Sequence, residues 1–270
     1  MERFARTCHA DERVVAAFIS GSHASGTADV HSDIDLGLIT SDATYNDFQA
    51  GRTAFISCLG EAIFLENFDN DDTEFFVLSG GTEGELSVGS TSHFGHVARG
   101  PYQVLLDKTG ILAGATFHGK QPAPDAQREA LRRLIMWFWH ELSHFVTAVA
   151  RDQVYWAYGQ LEALRRGCLS LARLQHDFDD ADGATDPYFK VEQILGGEQL
   201  SASASTTCRM DTLSMLHAAA SIARIYQGLA TFLAQTHGLV YPLALERLML
   251  ARLESLSSSA YTTSSSSDQL

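Results

Sequence analysis

The sequence predicts an α+β fold: a mixed-sheet domain over residues 1–121, a helical bundle over 122–256, and a Ser-rich tail at 257–270. Three observations predict it. Apolar runs of strand length, separated by Gly- and Asp-rich turns, fill the first half. In the second half Leu131, Leu134, Ile135, Phe138, Leu142, Phe145, Val146 and Val149 repeat at the i, i+3, i+4 spacing of a core-facing helix. Between the halves Gly119–Asp125, GKQPAPD, has two prolines and no apolar periodicity, which places the domain boundary there.

Residues 2–10 read as a short helix leading into a first strand, Val14–Ile19, with a second strand at Ile34–Ile39. A helix is expected over Tyr45–Leu59, then strands near Ala62–Leu65, Glu74–Leu78, Gly84–Val88 and Tyr102–Leu106. Gly80-Gly81-Thr82 supplies a hairpin turn between two of these. Beyond the boundary, Val154–Gln175 and Thr207–Gln235 read as long helices, and Pro242 opens a last one ending near Leu256. The tail from Ser257 to Gln269 carries too little apolar surface to order itself.

Composition narrows the function classes. With 270 residues and 45% hydrophobic content, the chain is of globular type and can bury a core in each half. No stretch approaches a membrane span, and the first apolar run is too short for a signal peptide. Cys8, Cys58, Cys168 and Cys208 are far apart and form no CxxC pair, as expected of reduced thiols in a cytoplasmic protein. A net charge of −14 argues against a nucleic-acid partner, since phosphate backbones need basic surface. From Thr53 to Ala98 there is no Lys or Arg, yet Glu61, Glu66, Asp69, Asp71, Asp72, Glu74, Glu83 and Glu85 lie inside. A second acidic run spans Asp177–Asp186. Most of these acids read as solvated loop charges; collectively they make a field that attracts a cationic small molecule.

The chemistry is concentrated between Ala16 and Thr40, AAFISGSHASGTADVHSDIDLGLIT. The first strand runs into Gly21-Ser22, and ten residues on comes Ser32-Asp33-Ile34-Asp35. Strand alternation puts Asp33 and Asp35 on one face. Paired carboxylates repel unless a cation sits between them, and oxygen-only ligation favours a hard ion such as Mg²⁺. Gly21 permits a tight turn with close backbone approach, and Ser22 adds a hydroxyl where phosphate oxygens could lie. Strand, Gly-Ser turn and carboxylate pair describe a metal-dependent nucleotidyl-transfer site. A third acid is needed on a neighbouring strand, and Glu85 in Gly84-Glu85-Leu86-Ser87-Val88 fits; Glu83, nearer the turn, is its competitor. Lysine is scarce, with Lys108, Lys120 and Lys190 alone, and Lys190 is the candidate partner for a triphosphate. The N-terminal half offers few acceptor contacts, so the acceptor is expected in a cleft between the two domains.

This ordered set resembles the hallmark of the DNA polymerase β-like nucleotidyltransferase superfamily. More closely, Asp11-Glu12-Arg13-Val14, Gly21-Ser22, Gly26, Ser32-Asp33-Ile34-Asp35, Gly84-Glu85 and Leu106-Asp107-Lys108-Thr109-Gly110 resemble the lincosamide nucleotidyltransferases. They are similar, less closely, to the aminoglycoside nucleotidyltransferases, and the likeness covers most of residues 8–256. The resemblance implies that Asp33 and Asp35 bind Mg²⁺ and that Glu85 is a metal ligand or the base that deprotonates an acceptor hydroxyl. It further implies nucleotide contacts at Gly21, Ser22 and Ser32, ATP as co-substrate, a small amine-bearing antibiotic as acceptor, and a homodimer. One departure stands out: lincosamide enzymes have Glu at the second acidic position, whereas Asp35 follows the aminoglycoside pattern.

Other readings compete. His140-Glu141-Leu142-Ser143-His144 matches the HExxH zinc-peptidase signature on a predicted helix, with Glu162 as a distant third ligand. No protease scaffold surrounds it, and Trp137 and Trp139 beside it suggest a packed helix face. Zinc hydrolysis is the lesser reading, separable from nucleotidyl transfer by the metal that activity requires. A non-catalytic nucleotidyltransferase-like binding module would usually lack one of the acids. Another metabolite or a protein hydroxyl is the alternative acceptor, while low basic content disfavours a tRNA end. His93 and His96 read as loop histidines near the end of the Glu85 strand.

Overall fold

The structure, a computed structural model, describes residues 1–119, 124–179 and 186–267. It divides into two compact units, Met1–Gln121 and Pro122–Leu270. Much of the expected boundary segment and part of the second acidic run lie outside the described residues, as does Lys120.

The first unit is built on a six-stranded mixed sheet. Helix α1 (Glu2–Ala10) leads to β1 (Val14–Ile19), and a five-residue helix α2 (Gly21–Ser25) precedes β2 (Ile34–Thr40). Then come α3 (Tyr45–Ser57), β3 (Ala62–Glu66), β4 (Thr73–Leu78), β5 (Glu83–Ser90) and β6 (Gln103–Asp107). The strand order is β3-β4-β5-β2-β1-β6. Among these strands β2 and β5 are the parallel pair and the other neighbours are antiparallel. The β4–β5 hairpin turns as expected, through Gly81 at φ +81°, with the Leu78 amide donating to the Thr82 carbonyl at 2.8 Å.

Alternation divides the sheet into two working faces. On one, Ala17, Ile19, Leu36, Leu38, Leu86 and Val88 form a core with Phe4 and Cys8 of α1 and Phe48, Phe55 and Ile56 of α3. On the other, Ala16, Phe18 and Ile39 pack with Leu112 and Phe117 from the chain after β6. Gly37 is required there: it pairs with Phe18, and a Cβ at Gly37 would lie 2.0 Å from that ring. The same second face, toward the start of β2 and β5, carries Asp35 and Glu85.

Charged groups near the resemblance motifs fasten this scaffold. Arg13 is bound to Asp11 at 2.7 Å and Asp47 at 3.1 Å. Lys108 donates to the carbonyls of Cys8 and Asp11 at 3.2 and 2.8 Å, at the end of α1. Asp107 accepts from the amides of Thr109, Gly110, Ile111 and Leu112. Burial pushes that carboxyl up, but the four amides outweigh it and hold it below its ordinary value. Glu74, inside the Lys/Arg-free stretch, is buried and bound to Arg52 at 2.7 Å. Its charge is thereby committed to joining β4 to α3.

The second unit is helical: α4 (Pro124–Ala150), α5 (Val154–His176), two short helices α6 (Val191–Ile194) and α7 (Gly197–Ala204), then α8 (Thr212–Thr236) and α9 (Leu243–Ser267). Leu131, Ile135, Phe138, Leu142 and Phe145 of the predicted stripe are buried with residues of α5, α8 and α9. Phe138 stacks on Tyr226 with ring centroids 3.5 Å apart, and the Tyr226 hydroxyl donates to the Leu134 carbonyl at 2.9 Å. The last helix runs past Leu256 into the segment expected to be unordered. Leu256 and Ala260 pack against the core. The hydroxyls of Ser257, Ser258 and Ser259 each donate to the carbonyl four residues back at 3.0 Å. Serine is a modest helix former, and this back-bonding satisfies its hydroxyl without ending the helix.

Candidate active site

The parallel register sets Asp35 directly opposite Glu85. Asp33 stands one residue before β2 on the same side, so the turn entering the strand adds a third carboxylate. Ligand oxygens of Asp33, Asp35 and Glu85 all lie within 4.8 Å of one another. Asp33 is exposed, and the other two are half-buried. Glu83 occupies the first position of β5, exposed and one pleat further out. Phe75 of β4 faces Glu85 from its other side; nothing in the sequence pattern marked it, since the strand pairing that brings it there is not local.

Three acids this close cannot all ionise freely without a cation. Burial, then the charge of Asp35, then that of Asp33, push the Glu85 carboxyl up to about 7. An oxygen-only donor set of three carboxylates fits a hard divalent ion such as Mg²⁺, with Asp33, Asp35 and Glu85 as the residues that would hold it.

The Gly-Ser turn is shaped to this cluster. Gly21 has φ +59°, and a Cβ there would lie 1.8 Å from Asp35 Oδ2. The Ser20 amide donates to the Asp35 carbonyl at 3.0 Å, tying the turn to β2. Among the described residues, Ser22 Oγ is buried with no hydrogen-bond partner. A buried hydroxyl left unpaired costs about 1–3 kcal/mol, and a ligand phosphate oxygen is the type of acceptor that would satisfy it. Gly21→Ala is therefore expected to strain the turn by about 1–3 kcal/mol and to displace Asp35. The melting temperature should fall and transfer should drop at least about tenfold, a fraction of the barrier lowering a charged group supplies. Unchanged kcat in folded Gly21→Ala would show that Asp35 needs no such close approach.

Ser32 and Lys190 are placed differently. The Ser32 hydroxyl accepts from the Asp29 amide at 2.9 Å and lies 3.3 Å from Asp29 Oδ1, so it organises the turn before β2. Lys190 lies in the second unit, exposed, at φ +52° ahead of α6, with its ammonium 4.7 Å from the Phe189 ring centre. His93 and His96 stack on each other with centroids 4.3 Å apart. His96 Nε2 lies 3.4 Å from Asp72 Oδ2, toward the other end of β5. Glu162 is engaged by Arg165 and by the Tyr188 hydroxyl, so it is held away from the role of third ligand to the HELSH histidines.

Comparison with known proteins adds the family. A profile described as streptomycin adenylyltransferase matches residues 1–256. No match to a curated protein sequence accompanies it. Among solved structures, an aminoglycoside 6-adenyltransferase from Bacillus subtilis is similar at 12% identity and a TM-score of 0.45, over 95% of this chain and 97% of that one. The profile runs unbroken from the carboxylate-bearing sheet through the helical unit: the chain belongs to the streptomycin adenylyltransferase family and is a nucleotidyltransferase.

Proposed function

We propose that this enzyme transfers AMP from ATP, with Mg²⁺, to a hydroxyl of an aminoglycoside of the streptomycin type. The observation that carries the reaction is the convergence of Asp33, Asp35 and Glu85 on one point beside the Gly21-Ser22 turn. Asp33 and Asp35 would hold the metal, whose charge would offset that of the triphosphate. Glu85, half-buried opposite Asp35, accepts the proton of the acceptor hydroxyl. The hydroxyl oxygen forms a bond to the α-phosphorus as the bond to pyrophosphate breaks. Gly21 and Ser22 lie against the phosphates in this reading.

The acceptor rests on the family and on charge. Glu61, Glu66, Asp69, Asp71 and Glu83 are exposed in the stretch that lacks Lys and Arg, and such a surface draws a polycationic molecule. Lincosamides also carry an amine, so the test offers both. ATP, GTP, CTP and UTP with Mg²⁺ are assayed against streptomycin, other aminoglycosides and lincosamides, reading pyrophosphate release and product mass. The expected result is a gain of one AMP on an aminoglycoside with ATP. A product on a lincosamide alone, or with another nucleotide alone, would overturn that part of the assignment. No product across the panel would remove the antibiotic role.

The four cysteines are free thiols, in keeping with a cytoplasmic enzyme. Among the described residues no helix is long and apolar enough to cross a membrane.

A further inference from the structure

A second cluster of metal-ligand type lies on α4, within the helical unit. His140, Glu141 and His144 bring one ligand atom each within 4.8 Å of the others. Helical spacing puts the two imidazoles one turn apart on one face, their ring centres 4.4 Å apart. His144 Nδ1 lies 3.6 Å from Glu141 Oε2. The donor set differs in kind from the three carboxylates: two borderline nitrogens and one oxygen suit zinc-like transition ions and not Mg²⁺.

Glu141 is the telling member. Its side chain is only 12% accessible, yet among the described residues no Lys or Arg stands within ion-pair distance of it. A neighbour on α5 supports it from behind. With the amide of Gln160 oriented to match its surroundings, the nitrogen donates to Glu141 Oε2 at 2.5 Å and the oxygen accepts from Trp156 Nε1 at 3.1 Å. Hydrogen bonds that fix a ligating carboxylate from outside the coordination sphere are a recurrent feature of metal centres. His140 is exposed and His144 is 40% accessible, so an ion has an entry path and room for solvent as a fourth ligand. Ligands of a tetrahedral zinc ion stand about 3.4 Å apart at ordinary bond lengths, which small rotamer changes at the exposed imidazoles would reach.

We propose that His140, Glu141 and His144 form a zinc-type transition-metal site, separate in chemistry from the Mg²⁺ site of the transfer reaction. The third protein ligand is Glu141 itself and not the distant Glu162, which Arg165 and Tyr188 hold. An ion bound here stabilises the folded unit by mass action, since the helix that pre-arranges the ligands is absent from the unfolded chain.

The test uses untagged full-length protein stripped with a chelator and titrated calorimetrically with Zn²⁺ in excess Mg²⁺. One Zn²⁺ per chain is expected, with a rise in melting temperature on binding. His140→Ala/His144→Ala should weaken binding by about a hundredfold or more, beyond the effect of losing one supporting contact. His144→Gln alone should weaken it by a smaller factor. Asp33→Asn/Glu85→Gln should bind Zn²⁺ as the wild type does. Circular dichroism establishes that each variant is folded. Absence of zinc binding in Mg²⁺-saturated protein would overturn the site. So would binding that survives in folded His140→Ala/His144→Ala and is lost in Asp33→Asn/Glu85→Gln.

Discussion

Asp33→Asn and Asp35→Asn are each expected to lower kcat by about a thousandfold or more, with the sheet intact. Metal-held charge supplies several kcal/mol of transition-state stabilisation in phosphoryl-type transfers, and each 1.36 kcal/mol is about tenfold in rate. Asparagine keeps the shape and one oxygen but removes the charge that recruits the cation. Asp33 is exposed and among the described residues makes no hydrogen bond or ion pair, so its variant should melt at or slightly above the wild-type temperature once the repulsion with Glu85 is relieved. Asp35 is half-buried against Gly21 and opposite Glu85, so its replacement also disturbs the seat of the turn. The two variants should therefore share a loss of rate and differ in stability. Pyrophosphate release and thermal melts at matched Mg²⁺ separate the two effects; wild-type turnover in either variant would remove the metal assignment.

Glu85→Gln is expected to leave nucleotide binding near normal and to reduce turnover by about a hundredfold or more, the scale of a positioned base. Its pH behaviour has a definite sign. A carboxyl raised from 4.5 to about 7 holds its proton longer in the folded state than in the unfolded one. It therefore stabilises the metal-free fold fully below pH about 4.5, and that contribution is lost as pH rises through about 7. Glutamine cannot ionise, so metal-free Glu85→Gln should gain melting temperature over the wild type between pH 5 and 8. Added Mg²⁺ should close the gap, because the ion replaces the proton between the carboxylates. If Glu83→Gln were the crippling change and Glu85→Gln were silent, the base would lie one pleat further out on β5.

The parts of this site that were legible in the sequence are those that local periodicity controls. Asp33 and Asp35 share a face because a strand alternates, and a glycine before a short polar turn marks close approach of backbone. Glu85 could be selected as a third acid because its strand pattern was readable, though the sequence offered no register to set it beside Asp35. That came from the parallel pairing of β2 with β5, decided by packing of Leu36, Leu38, Leu86 and Val88 beneath α1 and α3. Helix α2 was hidden because five residues cannot display a helical period. The extension of α9 through Ser257 to Ser267 was hidden because composition argues against it, while contacts of Leu256 and Ala260 with the bundle favour it. Glu162 illustrates both limits: its bond to Arg165 is a three-residue helical spacing, whereas the Tyr188 hydroxyl arrives from a distant segment.

The single parallel seam also bears on how the chain reaches its active form. β4 and β5 are joined by a tight turn and can meet early, and β1 and β2 can pair across the short α2 loop. Joining β2 to β5 closes about fifty residues of chain, an entropic cost greater than that of either hairpin. The seam also brings Asp35 against Glu85, so its formation gathers like charges that a cation or proton must offset. A molecule in which the hairpins have formed but the seam is open holds Asp33 and Asp35 without Glu85. On the proposed role of Glu85 it is inert as a transferase, so recovery of activity after denaturation is expected not to run ahead of the closing of this seam.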